Sequence, residues 1–447
     1  MHGLLPPSSC ATAGQERELT TYDDKFVQGI HCDEPKYDKP RATFKQCELV
    51  RTVTDVTAGY PQVVHLWGWQ YRGKDTGYPA VAQVNERLGG YDRLQQLMHR
   101  GRELNANITF SDNCDDAYRS SPAWDPGIIA RRPDGKLWER GNWAGENSYI
   151  VGLAKNMTEP GRRRVQYTCD RYKLRDTTHI DVLSYFPIRN DWEPAHPAGG
   201  VKNLVDGRYK MLEEFARRGV DVSSEAIRYT FIGTVSLFWH MPRPAPCPFG
   251  GKPIPLMAAI HRHSAVWGEW GTSRPDRVLN CLFSSNSPHA MVGTEVDFAS
   301  VLDSFYLVRL PWSKLHRRGI TIQHFSAMAI APSSVWMATP RSISIGKTTR
   351  TASRSTIWRL QVREAHVSLD KERIVFYSVK ARELSFPLPE GWTPSEMIAT
   401  RLSVDQSTNA DFRIQSGRVT LRVPSRVPVI VHRDRKAKTT LELKAGA

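Results

Sequence analysis

No stretch of this 447-residue chain approaches the ~18 consecutive apolar residues that a helix needs to cross a bilayer. Residues Met1 to Cys10 also lack a basic region followed by an apolar one, so no secretory leader is read there. The first ~50 residues carry no strongly periodic segment, which fits an N-terminus that is incomplete. Cysteine is scarce and scattered. The seven residues Cys10, Cys32, Cys47, Cys114, Cys169, Cys247 and Cys281 contain no C-x-x-C pair, which excludes a zinc ribbon and a dense disulfide framework. Metal ligands are equally thin: His261 and His263 form an H-x-H pair without a third ligand, so a structural or substrate-contact role is expected, with no metal and no cofactor.

Charge is not scarce but one-sided, with 61 Lys and Arg against 46 Asp and Glu and a net charge of +15. Clustered on one face, such an excess would bind phosphate. Here it is dispersed over Arg162 to Arg164, Arg217-Arg218, Arg317-Arg318 and the tail from Arg433 to Lys438, which reads as solvated surface and not as a nucleic-acid footprint. Attraction to an acidic glycan is a separate reading of the same excess.

Strand-length apolar runs alternate with amphipathic stretches. Gln62 to Trp69 is followed by a loop over Tyr71 to Gly77 and a helix-like stretch, Gly90 to Leu104, with Leu94, Leu97, Met98 and Leu104 near helical spacing. The unit repeats with strand-like Ala106 to Phe110, a loop bearing Asp112, Asn113, Asp115 and Asp116, and an insertion through Trp143. A strand over Thr178 to Leu183, a helix over Val201 to Arg218 stopped by Gly219, and a strand over Val220 to Ser224 follow. Runs at Val235 to Trp239, Pro255 to Ile260, Val278 to Phe283 and Ile320 to Ile330 would complete a circuit. The fold class expected is therefore α/β, a TIM-like (β/α)8-type barrel.

Beyond residue ~340 the pattern changes to short alternating runs: Ile357 to Val362, Arg373 to Val379, Glu383 to Leu388, Phe412 to Ile414, Val419 to Val423 and Val427 to Val431. Residues 339–447 are expected to form an antiparallel β-sandwich, residues 59–338 the barrel, and residues 1–58 either a remnant of a preceding β domain or the first barrel element.

Two acids stand where barrel chemistry belongs. Asp181 ends one apolar run and Glu225 the next, and carboxylates at neighbouring strand ends are the minimal equipment for glycosidic hydrolysis. Each could equally be a capping or solvent-exposed acid. Tryptophan favours sugar: Trp67, Trp69, Trp124, Trp138 and Trp143 cluster in the first third, largely in loops, where exposed rings offer flat faces to pyranose C–H groups. Most of the 13 tryptophans are expected in the core.

The succession Trp67 to Tyr78, Val84 to Gly90, Asp112 to Tyr118, Gly141-Asn-Trp143, Ile180-Asp-Val182 and Arg218 to Glu225 resembles the catalytic barrel of glycoside hydrolase family 101, the endo-α-N-acetylgalactosaminidases, over residues ~60 to ~230. The resemblance implies retaining hydrolysis of the α-linkage between galactosyl-β-1,3-N-acetylgalactosamine and Ser or Thr of O-glycans, in a protein placed outside the cytoplasm. It also implies Asp181 as nucleophile and Glu225 as acid/base, with Trp69, Lys74, Asp75, Asn113 and Trp143 contacting substrate. Lys74 stands where the family has His, and Ala226-Ile227-Arg-Tyr-Thr230 replaces a Trp-Gly-Gly-rich segment. An exo-acting α-N-acetylgalactosaminidase, a related α-glycosidase and a non-catalytic carbohydrate-binding barrel are the alternatives.

Overall fold

Eight parallel strands close into a barrel. They are β1 (Phe26–His31), β2 (Gln62–Trp67), β3 (Ala106–Asn113), β7 (Asp176–Asp181), β8 (Val220–Ala226), β9 (Leu237–His240), β10 (Val266–Trp270) and β11 (Asn286–Met291), with β11 pairing back onto β1. The computed structural model describes residues 19–185, 190–197, 200–240, 260–261, 264–270, 286–291, 298–316, 343–345, 349–350, 360–361, 364–370, 372–404 and 406–433. Between β3 and β7 the chain inserts a three-stranded antiparallel sheet of β4 (Asp116–Tyr118), β5 (Glu139–Asn142) and β6 (Asn147–Ile150).

The helices, beginning with α1 (Leu49–Val56), form because each presents one apolar stripe to the barrel. In α2 (Gly90–Glu103), Leu94, Leu97, Met98 and Gly101 are buried, and Gly101 lets the helix approach so closely that a Cβ there would lie 2.5 Å from Ile108. A short α3 (Leu153–Asn156) precedes α4 (Pro160–Tyr172), which starts on a proline in its first turn and stops at Lys173 in a left-handed conformation. Helix α5 (Gly200–Ala216) buries Met211, Leu212 and Phe215 and ends before Gly219 at φ +70°.

Beyond the barrel, a six-stranded sheet and a three-stranded sheet of Arg382–Pro387, Phe412–Gln415 and Arg418–Val423 enclose a core of Phe376, Phe386, Trp392, Leu421 and Val429. This part docks on the barrel through Tyr377, which stacks on Tyr306 (4.8 Å, 20°) and donates to Asp303 at 2.6 Å. Arg373 adds a bond to the Ala58 carbonyl at 2.9 Å.

The barrel and the C-terminal sheets agree with the sequence reading; several strands do not lie where it put them. The strand carrying Asp181 begins at Asp176 and ends on the acid, and Val220–Ala226 runs past Glu225. The last two barrel strands, VWGEW and NSPHAM, lack a continuous apolar run and for that reason were not expected. The runs at 278–283 and 320–330, most of 255–260 and His263 lie outside the described residues.

The loop after β2 is pinned from below by Asp33. Its carbonyl accepts from the Lys74 amide at 2.9 Å, and its carboxylate takes the Asn85 amide at 3.0 Å. Gly68, at φ +74°, packs so tightly here that an added Cβ would sit 2.0 Å from the Asp33 carbonyl oxygen. Gly68→Ala therefore meets an unyielding backbone as well as a left-handed conformation that alone costs about 1–2 kcal/mol. A depressed melting temperature together with loss of the Lys74–Asp75 arrangement is the expected outcome, checked by thermal unfolding and a crystal structure of the variant.

Candidate active site

The barrel's C-terminal rim collects four of the residues singled out in the sequence. The parallel register that pairs Ile180 with Ser224 brings Asp181 level with Glu225 on adjacent strands, and the two-residue alternation of strands turns both to the same face. The next residue, Val182, is held at φ +50°, a conformation that β-branched residues rarely adopt, so the chain is strained directly beside the acid. From the loop after β2, Lys74 reaches in and pairs with Asp75 at 2.6 Å.

Electrostatics separates the two carboxyl groups. Burial works against charge on Asp181, but the His179 ring, the Lys74 ammonium and the Val182 amide outweigh it and hold Asp181 below the usual Asp range. Burial raises Glu225, and the neighbouring Asp181 charge raises it further, to about 7 against the opposing pull of Arg140 and Lys74. Glu225 keeps one carboxyl oxygen, Oε2, buried without a hydrogen-bond partner, while Oε1 lies 3.8 Å from His240. An ionised carboxylate beside a protonated one is the state in which one group can attack and the other donate a proton.

A polar-aromatic layer lies beneath the pair. His179, two residues before Asp181, is fully buried, stacks on Trp239 at an interplanar angle of 7° and approaches His65 at 5.7 Å. Deeper still, Tyr22 bonds to His65 (3.2 Å) and Thr177 (2.5 Å).

The insertion contributes the cation that flanks the site. Arg140 of β5 binds Asp115 at 2.9 Å and Asp116 at 3.2 Å, and Asp115 also takes Arg208 of α5 at 2.5 Å. Arg208 in turn donates to the Leu183 carbonyl at 3.0 Å, so the same network grips the chain two residues beyond Asp181. Arg140, Arg208, His179 and His240 were not among the residues expected. His179 alone had a sequence signal, since strand alternation puts residue i−2 on the face of Asp181; the arginines act across long loops and have none.

Three other expected contacts are Trp69, Asn113 and Trp143. Trp69 is a correction: it is fully buried, stacked on Phe110 at 3.8 Å and edge-on to Tyr172 at 5.1 Å, in the layer between barrel and helices, where a glycan does not reach. Asn113 pairs in register with Asp181 on the neighbouring strand, and its amide donates to Asp116 (2.8 Å) and accepts from the Asp115 and Asp116 amides (2.9 and 3.0 Å), shaping the loop that holds Arg140. Trp143, at the tip of the β5–β6 hairpin, is 56 % exposed and available to a ligand. Tyr185 and Tyr229, four residues beyond Asp181 and Glu225, are also exposed, and the Arg228 guanidinium lies 6.0 Å from the Tyr185 ring. Among the described residues no group of His, Cys, Asp and Glu is arranged to hold a metal ion, and no helix is long and apolar enough to cross a membrane.

Comparison with known proteins adds a family-model match over part of the chain and a likeness of fold. Residues 41–218 match the family model described as endo-alpha-N-acetylgalactosaminidase. Among solved structures, the alpha-N-acetylgalactosaminidase NagBb from Bifidobacterium bifidum is similar in its GalNAc complex, with a TM-score of 0.55, 19 % identity, and coverage of 66 % of this chain and 51 % of that one. Its ligand-free form gives 0.55 at 17 % identity, covering 81 % of this chain and 58 % of that one. This chain thus spans about half the length of the NagBb structures it matches, from 48 to 58 %.

Proposed function

We propose that this chain, whose residues 41–218 match the family model described as endo-alpha-N-acetylgalactosaminidase, is a retaining α-glycosidase acting on α-linked N-acetylgalactosamine of Ser/Thr O-glycans. The observation that carries this reading is the split between level neighbours: Asp181 held ionised, Glu225 held protonated up to about 7.

Asp181 attacks the anomeric carbon as the C–O bond to the leaving group breaks. Glu225 delivers its proton to the departing oxygen, which leaves as an alcohol, and a covalent glycosyl-enzyme remains. Glu225, now a carboxylate, takes a proton from water; the hydroxide attacks the same carbon from the face the leaving group vacated and releases Asp181. Two displacements preserve the α configuration. Lys74 and Asp75 flank the nucleophile and meet the hydroxyls of the bound sugar, while Trp143 offers a ring from the hairpin above.

Hydrolysis of nitrophenyl α-N-acetylgalactosaminide and of the corresponding galactosyl-β-1,3 disaccharide, with the anomer of the first product read by NMR, tests the reading. Release of a β anomer first, or failure to cleave either glycoside, would overturn it. The pH profile follows from the same carboxyls. Because kcat/KM needs Asp181 ionised and Glu225 protonated, it forms a plateau from below the usual Asp range up to about 7 and falls tenfold per unit above that. Lys74→Met removes a cation that favours both ionised forms, so both limbs move to higher pH.

A further inference from the structure

The buried layer under the pair contains a group whose bonding is incomplete. His179 Nδ1 lies 3.0 Å from Ser223 Oγ, and Nε2, wholly buried, has no hydrogen-bond partner although Asp181 Oδ1 stands 3.8 Å away. We propose, on the footing of the glycosidase reading above, that His179 is a positioning residue for the nucleophile: its Nε2–H closes onto Asp181 Oδ1 in the reacting complex, with Ser223 fixing the tautomer and Trp239 the ring plane.

The tautomer follows from counting protons. Burial lowers His179 to about 4, so at neutral pH its ring carries one N–H. Ser223 has one hydroxyl proton, and within its reach are the Tyr22 hydroxyl, which can itself donate, and two groups that can only accept from it in this tautomer, the Thr178 carbonyl at 3.4 Å and His179 Nδ1 at 3.0 Å. The shorter contact is the stronger one. With Ser223 donating to Nδ1, the ring proton sits on Nε2 and faces the carboxylate; the reverse assignment would set a lone pair against an anion. Trp239, stacked at 7°, prevents the ring from tilting out of this plane, and His65 sits beside the stack, 5.7 Å from His179 and 5.6 Å from Trp239.

The bond matters unequally along the reaction. It stabilises Asp181 as a carboxylate before attack and again as the glycosyl-enzyme breaks, and it weakens when the oxygen's charge is lost to the new C–O bond. It therefore selects which oxygen attacks and supports the departure of Asp181 in the second step. The other charged and titratable groups around Asp181 are Lys74, Asp75 and Tyr78 from the loop after β2, Glu225 on β8 and Arg140 on the hairpin, and those facing His179 are His65 on β2 and His240 on β9. None of these replaces a donor on the strand that carries the nucleophile.

The test compares three side chains in the purified full chain. His179→Phe keeps a ring for Trp239 and removes both nitrogens, His179→Asn keeps a donor near Nδ1, and His179→Gln keeps one near Nε2. Expected are a loss of kcat/KM of about 10- to 100-fold in the Phe and Asn variants, as for one hydrogen bond to a charged group, and recovery in the Gln variant. The acid limb of kcat, which reports the enzyme–substrate complex in which the bond is closed, moves up by about one pH unit in the first two and returns in the third. Ser223→Ala, which leaves the ring in place, shifts the limb in the same direction and carries the test should His179→Phe fail to fold. An unmoved acid limb in folded His179→Phe and Ser223→Ala, with wild-type turnover intact, overturns this proposal alone. A wild-type protein that cleaves no α-N-acetylgalactosaminide overturns the glycosidase reading and this proposal with it.

Discussion

Asp181→Ala should abolish turnover and, with azide present, yield a β-glycosyl azide, whereas Glu225→Ala with azide should yield the α anomer. The two outcomes differ because the small anion occupies different sides of the sugar. Without Asp181 it enters the space of the nucleophile and displaces the leaving group once, inverting the centre. Without Glu225 it enters on the leaving-group side after Asp181 has already formed the glycosyl-enzyme, so the configuration is retained. The expected loss is on the order of 10⁴-fold or more for Asp181, a nucleophile working within a unit. It is about 10²- to 10⁴-fold for Glu225, the range for a general acid and base. A nitrophenolate needs little protonation to leave, so Glu225→Ala should slow the second step most, lowering kcat and KM together with a burst of phenol. Both azide products of the same anomer, or near-normal rates in either variant, would sink the assignment.

Glu225 carries a second consequence in stability. Its folded carboxyl binds a proton more tightly than the unfolded chain does, with a pKa raised from 4.5 to about 7, so the contribution to stability is fully present below about 4.5 and declines as pH rises toward 7. Glu225→Gln removes the group that must ionise in a buried setting. Unfolding in denaturant should find the variant gaining on the wild type as pH passes from 5 to 8, while activity is lost.

The pair itself was legible because strand ends are legible: an acid terminating an apolar run falls at the rim whenever the run is a barrel strand, and a boundary error of two residues, as for Asp176–Asp181, leaves the acid in place. Side-chain destination was less so. Trp69 follows a strand into a loop, which resembles a cleft position, yet Gly68 at φ +74° turns the chain and sends the indole into the layer of Phe110 and Tyr172. Asn113 looks like a sugar contact by chemistry alone, and only the fold shows that two backbone amides and Asp116 use its polar atoms. Strands such as Val266–Trp270 are unreadable for a related reason: closure of a barrel supplies neighbours on both edges, so a short segment with glycine and glutamate inside it needs little apolar character of its own.

Arg208 is where the fold and the chemistry are joined, and Arg208→Met should damage both. The guanidinium is buried, pairs with Asp115 and donates to the Leu183 and Leu204 carbonyls at 3.0 and 3.1 Å. Methionine fills the volume but leaves the Leu183 carbonyl without its donor, and Asp115 then depends on Arg140 alone. Removing one partner of a buried pair costs about 3–5 kcal/mol, larger than the pair's own net worth, because the charge left behind is already desolvated. In a barrel of this size that corresponds to a melting temperature lower by roughly 6–15 °C. Activity should fall beyond what unfolding explains, since the Leu183 carbonyl lies just past the strained Val182 that sets the direction of Asp181, and Arg140, freed to pair more closely with Asp115, draws away from Glu225. Arg373→Met is the control: that arginine donates to the Ala58 carbonyl, ahead of β2 at the end of the barrel opposite the rim, and pairs with Asp370. Measured well below both melting temperatures, kcat/KM should drop in Arg208→Met and stay near wild type in Arg373→Met. Equal rates in the two variants at matched folded fractions would mean that the Asp115–Arg140–Arg208 network supports the barrel and nothing in the site. A higher basic limb in Arg208→Met, the sign expected when Arg140 no longer lowers Glu225, would tie the network to the acid that donates the proton.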